Sequence, residues 1–353
     1  MTQQLSQQSH TLLTAQAGEL IVAAKGRKTP HIPLSSTRLA LNLQNNSTQE
    51  SRSMKTVNPF RGLGVALVTP FAPDGSVDVE SLESLIDFQI SGGVDFLCVL
   101  GTTAETPCLT EEEKRLVMST AVKVNAGRVA LLLGAGGNCT AEVIHSLRKL
   151  QDTGGLEGFA GVLIVCPYYN KPSQRGLYAH FKAISEASPL PVVLYNVPGR
   201  TGVNLEAETT LSLARDCERV VAIKEASGRI DQIFEILEKK PENFDVLSGD
   251  DGLTLELIKH GAVGSISVVG NAMPQETAAL VHSALKGDFA KAEELNEKFK
   301  ELYTLLSRDG NPPGIKCLLA EKGKAHNVVR LPLVTATKST QEELKRFRNG
   351  LEE

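Results

Sequence analysis

Tryptophan is missing altogether, and aromatic residues make up only 5% of the 353 residues, so any core must be built mainly from aliphatic side chains. No apolar run reaches the roughly 20 residues that a bilayer-spanning helix needs, so no membrane span is expected, and a net charge of −4 gives no reason to expect an anionic membrane as partner. None of the six cysteines, Cys98, Cys108, Cys139, Cys166, Cys217 and Cys317, belongs to a CxxC pair. In a chain of this size without a secretory signal they read as reduced thiols, and the expected location is cytoplasmic. The seven histidines form no HxH or HExxH pattern, so no metal site is expected. A formal net charge of −4 gives no electrostatic reason to expect nucleic acid as a partner.

What is present begins irregularly. Residues 1–58 are rich in Gln, Ser, Thr and Asn, poor in acids, and hold only short apolar patches such as Leu20-Ile21-Val22-Ala23-Ala24. They read as a poorly structured N-terminal extension. A transit peptide would have this composition, and an upstream start ahead of Met54 is the plainer alternative. From Gly64 the pattern turns regular, with short Val, Ile, Leu and Ala runs alternating with longer amphipathic stretches. Strands are expected at 64–68, 96–100, 129–133, 161–166, 191–195, 220–224, 244–247 and 264–268. Their nearly continuous apolar character suits parallel strands covered on both faces. Thr110 with Glu113 predicts a capping box, and Thr140 with Glu142 a similar helix start. Eight βα repeats predict an α/β fold, a (β/α)8 TIM barrel over 59–286, with an open doubly wound sheet as the competing topology. Helical segments around 287–308, 313–323 and 340–351, broken by Pro312-Pro313-Gly314, predict a C-terminal helical appendage over 287–353.

A parallel barrel does its chemistry at the C-terminal ends of its strands. Lys224 closes the run Val220-Val221-Ala222-Ile223 and should project into an apolar mouth. Burial there disfavours a charged amine, and a neutral amine can add to a ketone to form an imine. The blander alternative is a strand-end lysine that reaches water. Tyr195 ends the preceding strand and offers a phenol for proton transfer, or else is an aromatic core plug. Thr102 and Thr103 follow strand two and offer hydroxyls and N–H groups to a carboxylate or a proton relay that includes Tyr169. They fit a merely polar loop as well, and Tyr168-Tyr169 fits an oligomer interface. Arg200, in a Pro-Gly turn, suits a carboxylate anchor or a surface ion pair. Gly134-Ala135-Gly136-Gly137 lacks both the GxGxxG spacing and a P-loop lysine, so no nucleotide site is expected there. Asp250-Asp251 suits a helix cap better than a metal.

Taken together, Gly101-Thr102-Thr103-Ala104-Glu105, Pro167-Tyr168-Tyr169-Asn170-Lys171-Pro172, Tyr195-Asn196-Val197-Pro198-Gly199-Arg200-Thr201-Gly202 and Ile223-Lys224-Glu225-Ala226 closely resemble the dihydrodipicolinate synthase family. The likeness runs from about Phe60 to the C-terminus. It implies condensation of pyruvate with aspartate semialdehyde on the way to diaminopimelate and lysine, with no metal and no organic cofactor. Lys224 would carry the pyruvate imine, and Tyr195, Thr102 and Tyr169 would relay protons, Tyr169 reaching across from a neighbouring subunit. Thr103 and Ile266 would contact pyruvate, and Arg200 the semialdehyde carboxylate, with Gly249 in the same substrate-binding set. The family pattern further implies a homotetramer, a dimer of dimers, and lysine as an inhibitor. Asn138, Glu142 and Tyr168 match the lysine-sensitive members, whereas Pro107, Glu111 and Lys114 do not, and Ala104 stands where the family usually has glycine. The nearest rival is a sister lyase on the same scaffold, such as N-acetylneuraminate lyase or a keto-deoxy sugar-acid aldolase. A catalytically dead binding barrel is the rival of a different class. The short-carboxylate context of Arg200 argues against the first and the intact site set against the second.

Overall fold

The computed structural model describes residues 58–350, so the extension expected over 1–58, Asn58 apart, lies outside the described residues. Eight strands, β1 (Gly62–Ala66), β2 (Phe96–Val99), β3 (Ala130–Gly134), β4 (Gly161–Val165), β5 (Val192–Asn196), β6 (Val220–Glu225), β7 (Asp245–Ser248) and β8 (Gly264–Ser267), pair in parallel in chain order. β8 returns to β1, so the sheet closes into a barrel and the open-sheet alternative is excluded. Eight helices alternate with them: α1 (Val79–Ser91), α2 (Glu111–Asn125), α3 (Thr140–Asp152), α4 (Gln174–Ala187), α5 (Ala207–Asp216), α6 (Ile230–Lys239), α7 (Thr254–Lys259) and α8 (Pro274–Leu285). The C-terminal region adds α9 (Phe289–Arg308), α10 (Pro313–Glu321) and α11 (Lys338–Gly350). All eight strands expected from the apolar runs are present, with ends that move by one or two residues.

Strand alternation sorts the side chains into two cores. Leu63, Val65, Leu97, Val99, Leu131, Ile164, Leu194 and Ile223 face outward and pack under the helices. Ala66, Phe96, Cys98, Leu132, Leu163, Val193, Tyr195, Ala222, Leu247 and Ile266 fill the barrel itself. The register slips between Val192 and Val193, where Val192 meets Val220 but Val193 meets Ala222. This bulge inserts Val221 and re-aims the rest of β6, so that Ala222 joins the interior and Lys224 falls opposite Tyr195.

Two helix starts test the capping expectations. Thr110 and Glu113 form the reciprocal box, the Glu113 N–H donating to Thr110 Oγ1 and the Thr110 N–H to the Glu113 carboxylate. Thr140 instead lies inside α3, after Cys139 at the cap position, and its hydroxyl pairs with His180 Nδ1 at 2.8 Å. A tertiary partner on α4 takes the hydroxyl that local pattern assigned to the helix end. The glycine run after β3 has a packing cause: a Cβ at Gly134 would lie 2.1 Å from the Leu100 carbonyl oxygen, and one at Gly136 would lie 2.6 Å from the Val165 nitrogen.

Candidate active site

Lys224 sits near the C-terminal end of β6 with only 5% of its surface exposed. Its Cα partner across the sheet is Tyr195 of β5, and its Nζ lies 4.4 Å from the centroid of that ring. Among the described residues no carboxylate pairs with this amine, which lies over the tyrosine face instead. On the other side Leu247 is its register partner, and Gly249 follows at the end of β7. A Cβ at Gly249 would stand 3.0 Å from Lys224 Cε and 2.7 Å from Ala226 Cβ, so the absent side chain leaves room for the lysine stem. Ile266 of β8 belongs to the same interior cluster as Tyr195. Cys98 is within electrostatic reach; burial pushes its thiol up to about 11 against the pull of Lys224, so it stays a neutral wall at ordinary pH.

The loop after β2 turns through a short 3-10 helix, Thr102–Ala104, and then through Glu105 in the left-handed region at φ 54°. Ala104 is buried in that turn and has no positive φ, so alanine fits where the resemblance led one to expect glycine. Thr103 is buried, and its hydroxyl accepts a 2.8 Å hydrogen bond from Asn311 Nδ2 in the link between α9 and α10. The Asn311 carbonyl in turn accepts from Arg200 Nη2 at 3.3 Å. Arg200 is exposed on the single helical turn Pro198–Thr201 that follows β5. Asn311 thus ties two expected substrate-binding residues together. The sequence reading passed over it because Pro312-Pro313 registered only as a helix breaker.

The same loop is clamped one residue further on. Glu105 Oε1 accepts from Lys316 Nζ of α10 at 2.5 Å, and Oε2 from the Arg330 N–H at 2.8 Å. Lys316 also donates to the Val328 carbonyl and lies 3.9 Å from the centre of the Phe71 ring. Arg330 forks onto Glu113 and reaches the carbonyls of Gly75 and Cys108. The C-terminal region is therefore bonded to the loop that carries Thr102 and Thr103 at several points.

Other expected groups stand apart. Tyr169 is 89% exposed, with its backbone at φ 74° held by the Thr201 carbonyl, and its hydroxyl has no hydrogen bond among the described residues. Within one chain it does not join Lys224 and Tyr195. Thr102 lies half-buried beside Thr103. Asn138 Nδ2 donates to the Tyr168 carbonyl at 3.2 Å, which places two of the family-matched positions side by side. Asp250 accepts from the Gly252 N–H and Asp251 from the N–H groups of Val268 and Val269, so both aspartates hold backbone. No cluster of His, Cys, Asp or Glu among the described residues has the form of a metal site.

A closed parallel barrel with a buried lysine, in no ion pair among the described residues, and a facing tyrosine at its mouth is the arrangement that an imine-forming lyase of the barrel class needs. Comparison narrows the class. The Dihydrodipicolinate synthetase family profile matches residues 59–349, and the chain belongs to that family. It is 53% identical over 292 residues to the 4-hydroxy-tetrahydrodipicolinate synthase of Phocaeicola vulgatus, covering 83% of this chain and 97% of that one. Among solved structures, the dihydrodipicolinate synthase of Acinetobacter baumannii complexed with pyruvate is 37% identical, with a TM-score of 0.78 over 82% of this chain and 98% of that one. The enzyme of Cyanidioschyzon merolae with lysine bound is 36% identical, with a TM-score of 0.79 over 83% and 98% of the two chains.

Proposed function

We propose that the protein condenses pyruvate with aspartate semialdehyde to give 4-hydroxy-tetrahydrodipicolinate and water, through an imine on Lys224. The observation that carries the reading is the position of Lys224, buried at a strand end with no carboxylate partner and with the Tyr195 ring 4.4 Å away. The relatives at up to 53% identity with this enzyme's name support the substrate pair over those of the sister lyases.

The Lys224 amine adds to the pyruvate ketone and the carbinol oxygen leaves as water, its proton passed along Tyr195 and Thr102. The imine acidifies the pyruvate methyl group, which loses a proton to become an enamine. That carbon attacks the semialdehyde aldehyde, forming the new C–C bond while the aldehyde oxygen takes up a proton. The semialdehyde amine then attacks the imine carbon, closes the ring and expels Lys224. Thr103 and the Ile266 backbone hold the pyruvate carboxylate; Arg200 and Gly249 hold the semialdehyde. Tyr169 completes the relay from a second copy of the chain, a role supported by its exposure and its unbonded hydroxyl. A homotetramer follows from the same reading. Lysine, bound near Asn138, Glu142 and Tyr168, is the inhibitor that a pathway ending in lysine would employ. A cytoplasmic location fits the six free cysteines, and no described helix is long and apolar enough to cross a membrane.

Borohydride reduction in the presence of pyruvate, followed by peptide mapping, tests the nucleophile and the substrate together. The expected product is a covalent pyruvyl adduct on Lys224. An unmodified Lys224 at saturating pyruvate sinks the reading. Arg200→Ala should keep the adduct while turnover with the semialdehyde falls by about 10- to 100-fold, the range for losing one charged carboxylate contact.

A further inference from the structure

Immediately after Lys224, Glu225 points to the opposite face of β6 and is fully buried. No cation forms an ion pair with it among the described residues: Arg229 acts on it only electrostatically, and Lys224 faces the other way. Its Oε1 accepts from Asn196 Nδ2 and its Oε2 from Ser227 Oγ, each at 2.5 Å. Asn196 is its register partner on β5, one step beyond the Tyr195–Lys224 pair. The same Asn196 accepts the Leu205 N–H at 3.0 Å and donates to Asn204 Oδ1, so it also pins the far end of the loop that carries Arg200. Ser227 already accepts the Arg229 N–H at 3.2 Å, which leaves Glu225 as the acceptor for its own proton.

We propose that Glu225 is a positioning residue for the reaction, acting through Asn196 to lock the ends of β5 and β6 so that the Tyr195 ring stays over the Lys224 amine. The inference rests on the reading of Lys224 and Tyr195 as the reacting pair. The two donors aimed at the carboxyl match its ionised form; protonation removes the acceptor of one of them and slackens the tie. Burial pushes the Glu225 carboxyl up to about 7 against the pull of those donors, so the tie tightens within the working pH range. The titratable and charged groups facing it are Cys166 at the end of β4, whose thiol burial pushes up to about 12, and Arg229 ahead of α6. The Cys166 thiol does not change charge near neutrality.

The test uses the full-length enzyme, with kcat and KM for pyruvate and the rate of borohydride-trapped adduct formation measured from acid to alkaline pH. In the unaltered enzyme kcat/KM for pyruvate should rise through the Glu225 ionisation near pH 7. Glu225→Gln, isosteric but unable to ionise, should flatten that rise. It should also lower the adduct rate on the alkaline side by about 10-fold, since slight misplacement of reacting groups costs up to about 100-fold. Ser227→Ala removes one donor from the carboxylate without touching the strand, and should move the rise towards alkaline pH by about one unit. A purely structural role would lower stability without moving the pH profile. Glu225→Gln tracking the unaltered enzyme at every pH, or an unmoved rise in Ser227→Ala, overturns the proposal. If the unaltered enzyme forms no adduct on Lys224, the proposed function itself fails; if it does and the variants behave as it does, only the role of Glu225 falls.

Discussion

Lys224 at the barrel mouth and Lys316 in the seam between barrel and C-terminal helices are equally withdrawn from water, at 5% and 0% exposure. Their surroundings are opposite. Lys316 is well partnered: it donates one hydrogen bond to Glu105 and another to the Val328 carbonyl, and the Phe71 ring covers the group. Even so, burial holds its ammonium down at about 8, with Glu105 working against that fall. Lys224 has the ring of Tyr195 and, among the described residues, no carboxylate. A buried amine with a carboxylate and a carbonyl as partners suits a structural tie, whereas one without a carboxylate suits the proposed nucleophile. The contrast supports the proposed role of Lys224 from its surroundings alone, without reference to any relative.

The largest expected effect breaks the reactive side of this pair. Lys224→Met keeps the length and removes the nucleophile, so turnover should fall by at least about 10⁴-fold, as when a covalent catalyst is deleted. Its melting temperature should hold or rise, because no buried partner is left unpaired. Steady-state assay beside a thermal melt checks both, and a marked loss of stability would mean that the amine has a structural partner. The structural side should behave in reverse. Lys316→Met strands the buried Glu105 carboxylate and should cost about 3–5 kcal/mol in denaturant unfolding. Adding Glu105→Gln to Lys316→Met should recover much of that loss by removing the orphaned charge. A single variant as stable as the parent would show that the seam does not depend on this pair.

The place of Lys224 at the barrel mouth was legible in the sequence and the pairing of Lys316 was not. Lys224 ends an apolar run, and the periodicity of eight such runs puts its end on the barrel rim, so local pattern and topology sufficed. Lys316 lies in a short helix of the appendage, and its partner Glu105 is more than 200 residues away in the chain. No local signal reports such a pairing. Asn311 was hidden for the same reason, its Thr103 partner lying across the seam. Glu225 stood in full view within Ile223-Lys224-Glu225-Ala226, but only the bulge in the β5–β6 register reveals that its partner is Asn196. The Thr140 cap failed because His180, on another helix, competes for the hydroxyl. Tyr169 is the converse case: motif resemblance assigns it a place that a single chain leaves on the surface.

Glu225 gives the smallest effect and the sharpest pH signature, since it lies between the two extremes: buried like the lysines and bonded on both oxygens, yet in no ion pair among the described residues. Its folded-state value of about 7 is raised by burial from the ordinary glutamate value of 4.5. A raised carboxyl binds its proton more tightly in the native state than in the unfolded chain. The stabilisation from that proton is therefore fully present below the unfolded value and is lost as pH climbs through the folded one. Wild-type stability should thus decline from acid towards neutral pH by on the order of 3 kcal/mol through this one group. Glu225→Gln has no proton to lose, so its stability relative to the wild type should improve over the same interval and level off above about pH 7. Paired melts of the two proteins in one buffer series cancel the titrations they share. A difference that stays flat with pH would show that the carboxyl is already ionised in acid, held there by the Asn196 and Ser227 donors, and the two-donor tie would then operate at every pH the enzyme meets.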